Sequence, residues 1–155
     1  MFMGREIENI DVDQLRATLI IDEGQINEIY TDHLGYPTFG IGHLVLKTDP
    51  EYGQVVGTAV SEERTIECFE QDVQSVLSDC RILHQGWAGY PQEVKQVVAN
   101  MMFNMGRTRL SQFKNHNAAL HSGDWKKAAV EGRDSRWHKQ VTNRAERLMS
   151  RLENI

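Results

Sequence analysis

The sequence predicts an α+β fold, mostly α, with a small antiparallel β-sheet lobe and a helical lobe joined by a long helix. Three observations carry this. Apolar residues recur at helical spacing up to Glu23, where Gly24 interrupts them. The pattern then turns to short, β-former-rich stretches over residues 28–44, and from Ser61 onward it is helical almost without a break. Of the 155 residues, 40% are hydrophobic and 25% charged, which excludes a disordered chain. The length allows a buried core in one domain, or in two small lobes sharing a helix.

Residues 1–11 show little periodicity and are expected to form an N-terminal extension. Asp11 or Asp13 can cap a first helix, 12–23, with Leu15, Leu19 and Ile20 on its apolar face beside Ala17 and Ile21. Gly24 stops that helix, which is expected to pack on the helical lobe. A β lobe over 24–60 follows. Glu28–Asp32 is strand-like, His33–Tyr36 is a turn, and Pro37–Leu44 alternates in β-formers, giving two or three antiparallel strands. Lys47–Ala59 holds Pro50, Gly53 and Gly57 and reads as loop. Ser61 caps a helix over 61–81, with Glu62 and Glu63 at its positive end and Ile66, Phe69, Val73, Val76, Leu77 and Cys80 at helical spacing. At roughly 30 Å it is either a core element or a strut between lobes.

The helical lobe, 82–155, opens its main helix at Pro91. Residues 93–105 are apolar nearly all round, so this helix is expected at the lobe's centre, ending at Gly106. Helices over 112–121, 125–132 and 135–140 come next, and Thr142 is expected to cap a last one that carries Leu148 and Leu152. All of 1–155 is expected to form a single domain.

The formal charge is −5, which gives no bulk signal for nucleic acid, although Arg133, Arg136, Lys139, Arg144, Arg147 and Arg151 gather late. Cys68 and Cys80 match no zinc or redox motif. On one helix they stand about 18 Å apart, too far to bridge, and are expected as buried free thiols. No apolar run reaches bilayer length, and the polar start of the chain lacks a signal peptide's apolar core. Neither membrane insertion nor an export signal is expected.

Asp22 and Glu23 lie at a helix C-terminus, where partly negative carbonyls disfavour carboxylates. A broken local rule points to function, although two solvated acids would look the same. Asp32 stands nine residues beyond Glu23 at the edge of the turn, where aspartate commonly binds backbone N–H groups. A helix end followed by a hairpin can bring the two carboxyls face to face across a cleft, the arrangement of glycosidases. Gly40-Ile41-Gly42-His43 is no phosphate loop, and its glycines suggest close backbone approach. His43 is open to reading as a ligand, a base or a hydrogen-bonding support. The six histidines are scattered without an H-E-x-x-H motif, so no metal and no cofactor is expected.

Ile21-Asp22-Glu23-Gly24, Ile29-Tyr30-x-Asp32 and Gly35-Tyr36-Pro37-Thr38-Phe39-Gly40-Ile41-Gly42-His43-Leu44 together resemble the phage-type lysozymes of the T-even bacteriophages. The resemblance continues in Phe69-x-Gln71-Asp72-Val73, Asn100-Met101-x-Phe103-Asn104-Met105-Gly106, Asp124-Trp125-x-x-Ala128, Ser135-Arg136-Trp137 and Thr142-Asn143-Arg144-Ala145. Gly35-Tyr36-Pro37-Thr38 and Gly123-Asp124-Trp125 are also similar to the lysozyme domain of T-even baseplate proteins. The resemblance implies a two-lobe lysozyme-like fold. It also implies cofactor-free, inverting hydrolysis of the β-1,4 bonds between N-acetylmuramic acid and N-acetylglucosamine in bacterial peptidoglycan.

Carried over by position, Glu23 is the catalytic acid, Asp32 the base or orienting carboxylate for the attacking water, and Thr38 the residue that holds that water. His43 and Arg144 support Glu23. Leu44, Phe103, Asn104, His116, Glu131, Arg136 and Trp137 bind substrate. His116 and Glu131 stand where relatives often have a small or amide polar residue, and the net charge departs from the strongly basic phage enzymes. The implied partner is peptidoglycan alone, bound by a monomer unless the domain belongs to a larger assembly. A phage enzyme would reside in the host cytoplasm before reaching the wall; a cellular one would be secreted or lysosomal.

Overall fold

The computed structural model describes residues 6, 7 and 10–155. Of the expected N-terminal extension, residues 1–5, 8 and 9 therefore lie outside the described residues. The rest contributes β1 (Glu6–Ile7) and β2 (Ile10–Asp11), paired antiparallel. The chain then runs through α1 (Val12–Glu23), β3 (Ile26–Thr31), β4 (Pro37–Gly40), β5 (His43–Leu44) and α2 (Glu62–Leu83). After a 3₁₀ turn at Trp87–Gly89 come α3 (Gln92–Met105), α4 (Arg107–Leu110), α5 (Lys114–His121), α6 (Trp125–Arg133), α7 (Arg136–Gln140) and α8 (Thr142–Glu153). The fold is α+β and mostly α. Its three-stranded antiparallel sheet has the order β3-β4-β5. Contacts divide the chain into two compact units, Arg16–Ser75 and the residues up to Leu15 with Val76–Ile155, so the boundaries fall inside α1 and α2.

In the Arg16–Ser75 unit the sheet packs one face inward. Ile29 of β3 and Phe39 of β4 are fully buried with Val60 and Cys68, and Val45 lies against them. Asp11 caps α1 by accepting the Gln14 N–H at 3.0 Å, and the Gly24 N–H closes the helix on Ile20 O at 2.8 Å. Leu15 and Leu19 are buried as expected, but Ile21, one turn beyond exposed Ala17, is 74% exposed and falls off the apolar face. Of the two or three strands expected, three are present, because the stretch over 37–44 supplies two of them. Gly40 and Gly42 take φ of +66° and +61°, which breaks β4 from β5 and turns the chain back. The loop expected over 47–59 holds no named helix or strand, its Ala59 making an isolated bridge to Glu28, and Ser61 caps α2 through the Arg64 N–H at 3.1 Å.

In the other unit α3 lies at the centre, with every residue from Val94 to Met102 buried. It packs on β2, α4 and α8, while α6 packs on α5, α7 and α8. Residues 112–121 were expected as one helix. Instead Gly106 ends α3 and the chain re-enters a short helix, α4, that buries Leu110, so α5 starts only at Lys114. Asp124 and Ser135 cap α6 and α7 by accepting the Lys127 and His138 N–H groups. Thr142 is not the cap of α8. Val141 occupies that position, and the Thr142 hydroxyl points back to Lys139 O at 3.5 Å. Cys68 and Cys80 are buried free thiols, and burial pushes Cys68 up to about 11. Among the described residues no helix is long and apolar enough to cross a membrane, and no cluster of His, Cys, Asp and Glu is placed to hold a metal.

Candidate active site

The candidate residues fall into two groups. Glu23, Asp32, Thr38, His43 and Leu44 belong to the Arg16–Ser75 unit; Phe103, Asn104, His116, Glu131, Arg136, Trp137 and Arg144 belong to the other.

The first group is built on the outer face of the sheet. Side chains alternate across a strand, so Ile29 and Phe39 face the core while Tyr30 and Thr38 face the opposite side. Thr38 pairs with Tyr30 of β3 and with Leu44 of β5, which sets Tyr30, Thr38 and Leu44 in one row across the three strands. Thr38 is only 3% exposed, whereas Leu44 is 49% exposed. The Thr38 hydroxyl donates to Tyr36 O at 3.0 Å, which leaves its oxygen only as an acceptor.

Asp32 follows directly on β3. Its Oδ1 accepts the N–H groups of Leu34 and Tyr36 at 2.9 and 2.8 Å, while its own N–H bonds Tyr36 O. The local turn role anticipated for an aspartate here is thus present. It fixes the carboxylate through one oxygen and leaves Oδ2 without a donor among the described residues.

Glu23 ends α1 with its carboxyl against the Gly40–His43 segment. A Cβ built on Gly42 would stand 3.0 Å from Glu23 Oε1 and 3.2 Å from Cδ. The glycine therefore lets the backbone come close to the carboxyl, and its positive φ points the same way. The neighbouring glycine faces Thr65 of α2, whose Cγ2 would lie 2.9 Å from a Cβ at Gly40.

His43 is 4% exposed, and both ring nitrogens meet carboxylates: Nδ1 bonds Asp72 Oδ2 and Nε2 bonds Asp49 Oδ2, each at 2.8 Å. A neutral imidazole donates only once, so this geometry calls for the imidazolium. Burial alone would push the ring's pKa down, but the hydrogen bonds it donates to Asp72 and Asp49 outweigh that and the net direction is upward. For Asp49 burial acts upward and is outweighed by the Leu46 N–H, His43 and Arg64, so its carboxyl is held below the usual range. Arg64 of α2 completes the arrangement. It grips Glu51 through Nε and Nη2, both at 3.0 Å, and reaches Asp49 Oδ1 at 3.3 Å. The ring that follows Gly42 is thus locked between α2 and the 46–51 loop.

In the other unit, Arg144 of α8 is 9% exposed and its Nε donates to Asn100 Oδ1 at 2.9 Å. Trp137 is sealed from solvent at 1% exposure, and its indole N–H donates to Asn104 Oδ1 at 2.7 Å, so it fixes that amide. His116 and Glu131 line a pocket of about 310 Å³ with Phe113 and Ser135. His116 Nδ1 donates to Ala128 O at 2.7 Å, and burial pushes its pKa down against that bond. Phe103 is half-buried on α3, and Arg136 is exposed at the start of α7.

Three residues of the first group's surroundings escaped sequence reasoning: Asp49 and Asp72, which hold His43, and Tyr30. Asp72 and Tyr30 stand inside the matched motifs, and that was their only signal. Asp49 lies in a stretch read merely as loop. The Tyr30 phenol is held above its ordinary pKa first by burial, then by the Glu23 and Asp32 carboxylates, so it lies in the field of both.

The family model for phage lysozyme matches residues 21–154 of the chain. The chain is similar to the pre-baseplate central spike protein Gp5 of Enterobacteria phage T4, with 32% identity over an alignment of 146 residues that covers 82% of this chain and 25% of that protein. It is 29% identical to probable T4-type lysozyme 2 of Dictyostelium discoideum over 161 residues, covering 92% of this chain and 95% of the amoebal protein. Peptidoglycan hydrolase gp36 of Pseudomonas phage phiKMV is 30% identical over 145 residues, 92% of this chain and 15% of the hydrolase. The chain thus spans about a quarter of the spike protein and nearly all of the amoebal one.

Proposed function

Because the chain belongs to the phage lysozyme family, we propose that it is a glycoside hydrolase of the bacterial cell wall, cutting the β-1,4 bond between N-acetylmuramic acid and N-acetylglucosamine. The observation that carries this reading is local: the Glu23 carboxyl lies against Gly42, in the same unit as the Asp32 turn and the Tyr30–Thr38–Leu44 row. Glu23 protonates the leaving glycosidic oxygen. Asp32 Oδ2 takes a proton from the attacking water, and Thr38 Oγ1, an acceptor only, takes a hydrogen bond from the same water. One acid and one base on opposite faces of the sugar invert the anomeric carbon. His43 supports this arrangement through the backbone of Gly42, since both its ring nitrogens are engaged, and Arg144 keeps the supporting role that the family resemblance assigns to it. Glycan binding is assigned to Leu44 in one unit and to Phe103, Asn104, His116, Glu131, Arg136 and Trp137 in the other, with 1–155 taken as a single domain. No cofactor takes part.

Digestion of purified sacculi tests the reading. Muropeptides ending in reducing muramic acid are expected, with the α-anomer formed first in a rapid proton NMR time course. Reducing glucosamine ends would overturn the bond assignment, a β-anomer formed first would overturn inversion, and no release would overturn hydrolysis. The similarity to a spike protein favours a second reading, in which the same activity belongs to a domain of a larger assembly. Sedimentation separates the two: the chain alone is expected as a monomer.

A further inference from the structure

A water poised for displacement directs two protons and two lone pairs, and the residues assigned so far handle only part of that. Thr38 gives its own proton to Tyr36 O, so it can only accept from the water. The Asp32 carboxylate, with Oδ1 held by two N–H groups, also only accepts. These two acceptors take both protons. One lone pair attacks the anomeric carbon, and the other needs a donor to fix the direction of the first.

Tyr30 is placed to be that donor. It is directly across the strand pair from Thr38, so both side chains leave the sheet on the same face. It precedes Asp32 by two residues, and its side chain is half-buried. Among the described residues its hydroxyl has no hydrogen-bond partner, and neither has Asp32 Oδ2. The field of Glu23 and Asp32, added to burial, keeps the phenolic proton in place over the working pH range. We propose that Tyr30 is a further catalytic residue, whose O–H donates to the water held by Asp32 and Thr38 and turns its free lone pair toward the sugar. This rests on the lysozyme reading above.

Two measurements test it. In a high-resolution crystal structure of the chain, one water is expected within hydrogen-bond distance of Tyr30 Oη, Asp32 Oδ2 and Thr38 Oγ1. A structure in which no water bridges Tyr30 Oη and Asp32 Oδ2 overturns the proposal, whether or not the protein turns over. On soluble glycan oligomers, Tyr30→Phe is expected to lower kcat about tenfold, the worth of one directed hydrogen bond, with KM and the unfolding midpoint unchanged. Wild-type kcat in the variant, or a loss confined to KM, overturns it. An inactive wild-type chain instead refutes the lysozyme reading and leaves the water's position to the crystal structure.

Discussion

Gly42 is the position where a single methyl group should matter most. Its φ of +61° strains any L side chain, and an added Cβ would press on the Glu23 carboxyl at 3.0 Å. Gly42→Ala is expected to cost about 1–2 kcal/mol of stability and to lower turnover further by displacing the carboxyl. Thermal unfolding and a rate on the same preparation check it; unchanged values in both would mean that the backbone does not need to be this close. At this scale the sequence was partly legible. Glu23 was visible as a carboxylate placed against a helix dipole, and Gly42 as a glycine within a strand pattern. The partners of His43 were not, because Asp49 and Asp72 are 6 and 29 residues away and no local rule joins them. Nor was Tyr30, whose residue type in a strand reads simply as a β-former.

The His43 clamp acts between elements, tying β5 to α2 and to the loop after it. The ring's pKa is raised on folding, so its contribution is fully present below the unfolded value, about 6.5, and is lost as pH rises through the folded one. Asp49 is depressed, so its contribution is lost as pH falls through its folded value. Between those limits His43 and Asp49 both carry their charges. His43→Asn is expected to destabilise the protein by about 3 kcal/mol near pH 6 or slightly below, the usual cost of breaking a buried pair, and by progressively less at alkaline pH. Denaturant titrations at several pH values measure this, and a pH-independent difference would contradict the charge assignment. Helix caps give a second comparison. Asp124→Ala should cost about 1 kcal/mol, whereas Thr142→Ala should cost little, because its hydroxyl caps nothing. The long helices and the sheet were legible from periodicity. The boundary at Thr142 was not, because a threonine at a helix start looks the same as cap or first residue. The α4 turn was missed because four residues carry too little periodicity to register.

For the whole molecule, a formal charge of −5 acts over longer distances than any contact. The chain should be repelled by an anionic wall, so moderate salt should speed clearing of cell-wall suspensions by screening that repulsion, the reverse of what a basic enzyme would show. A rate that falls steadily from low to about 0.15 M salt would mean that a local positive face dominates. Periodicity made the α+β class legible, and composition and length a buried core. The division into two units was less so, since its boundaries fall inside α1 and α2 and no loop or composition shift marks them. The central claim is that Glu23 makes this fold a cell-wall hydrolase. Clearing of a Gram-negative wall suspension by wild type and by Glu23→Gln, at matched concentration and matched unfolding midpoint, tests it most directly. The wild type should clear the suspension and the variant should be slower by at least about a hundredfold. Equal clearing by both, or none by the wild type, would contradict the claim.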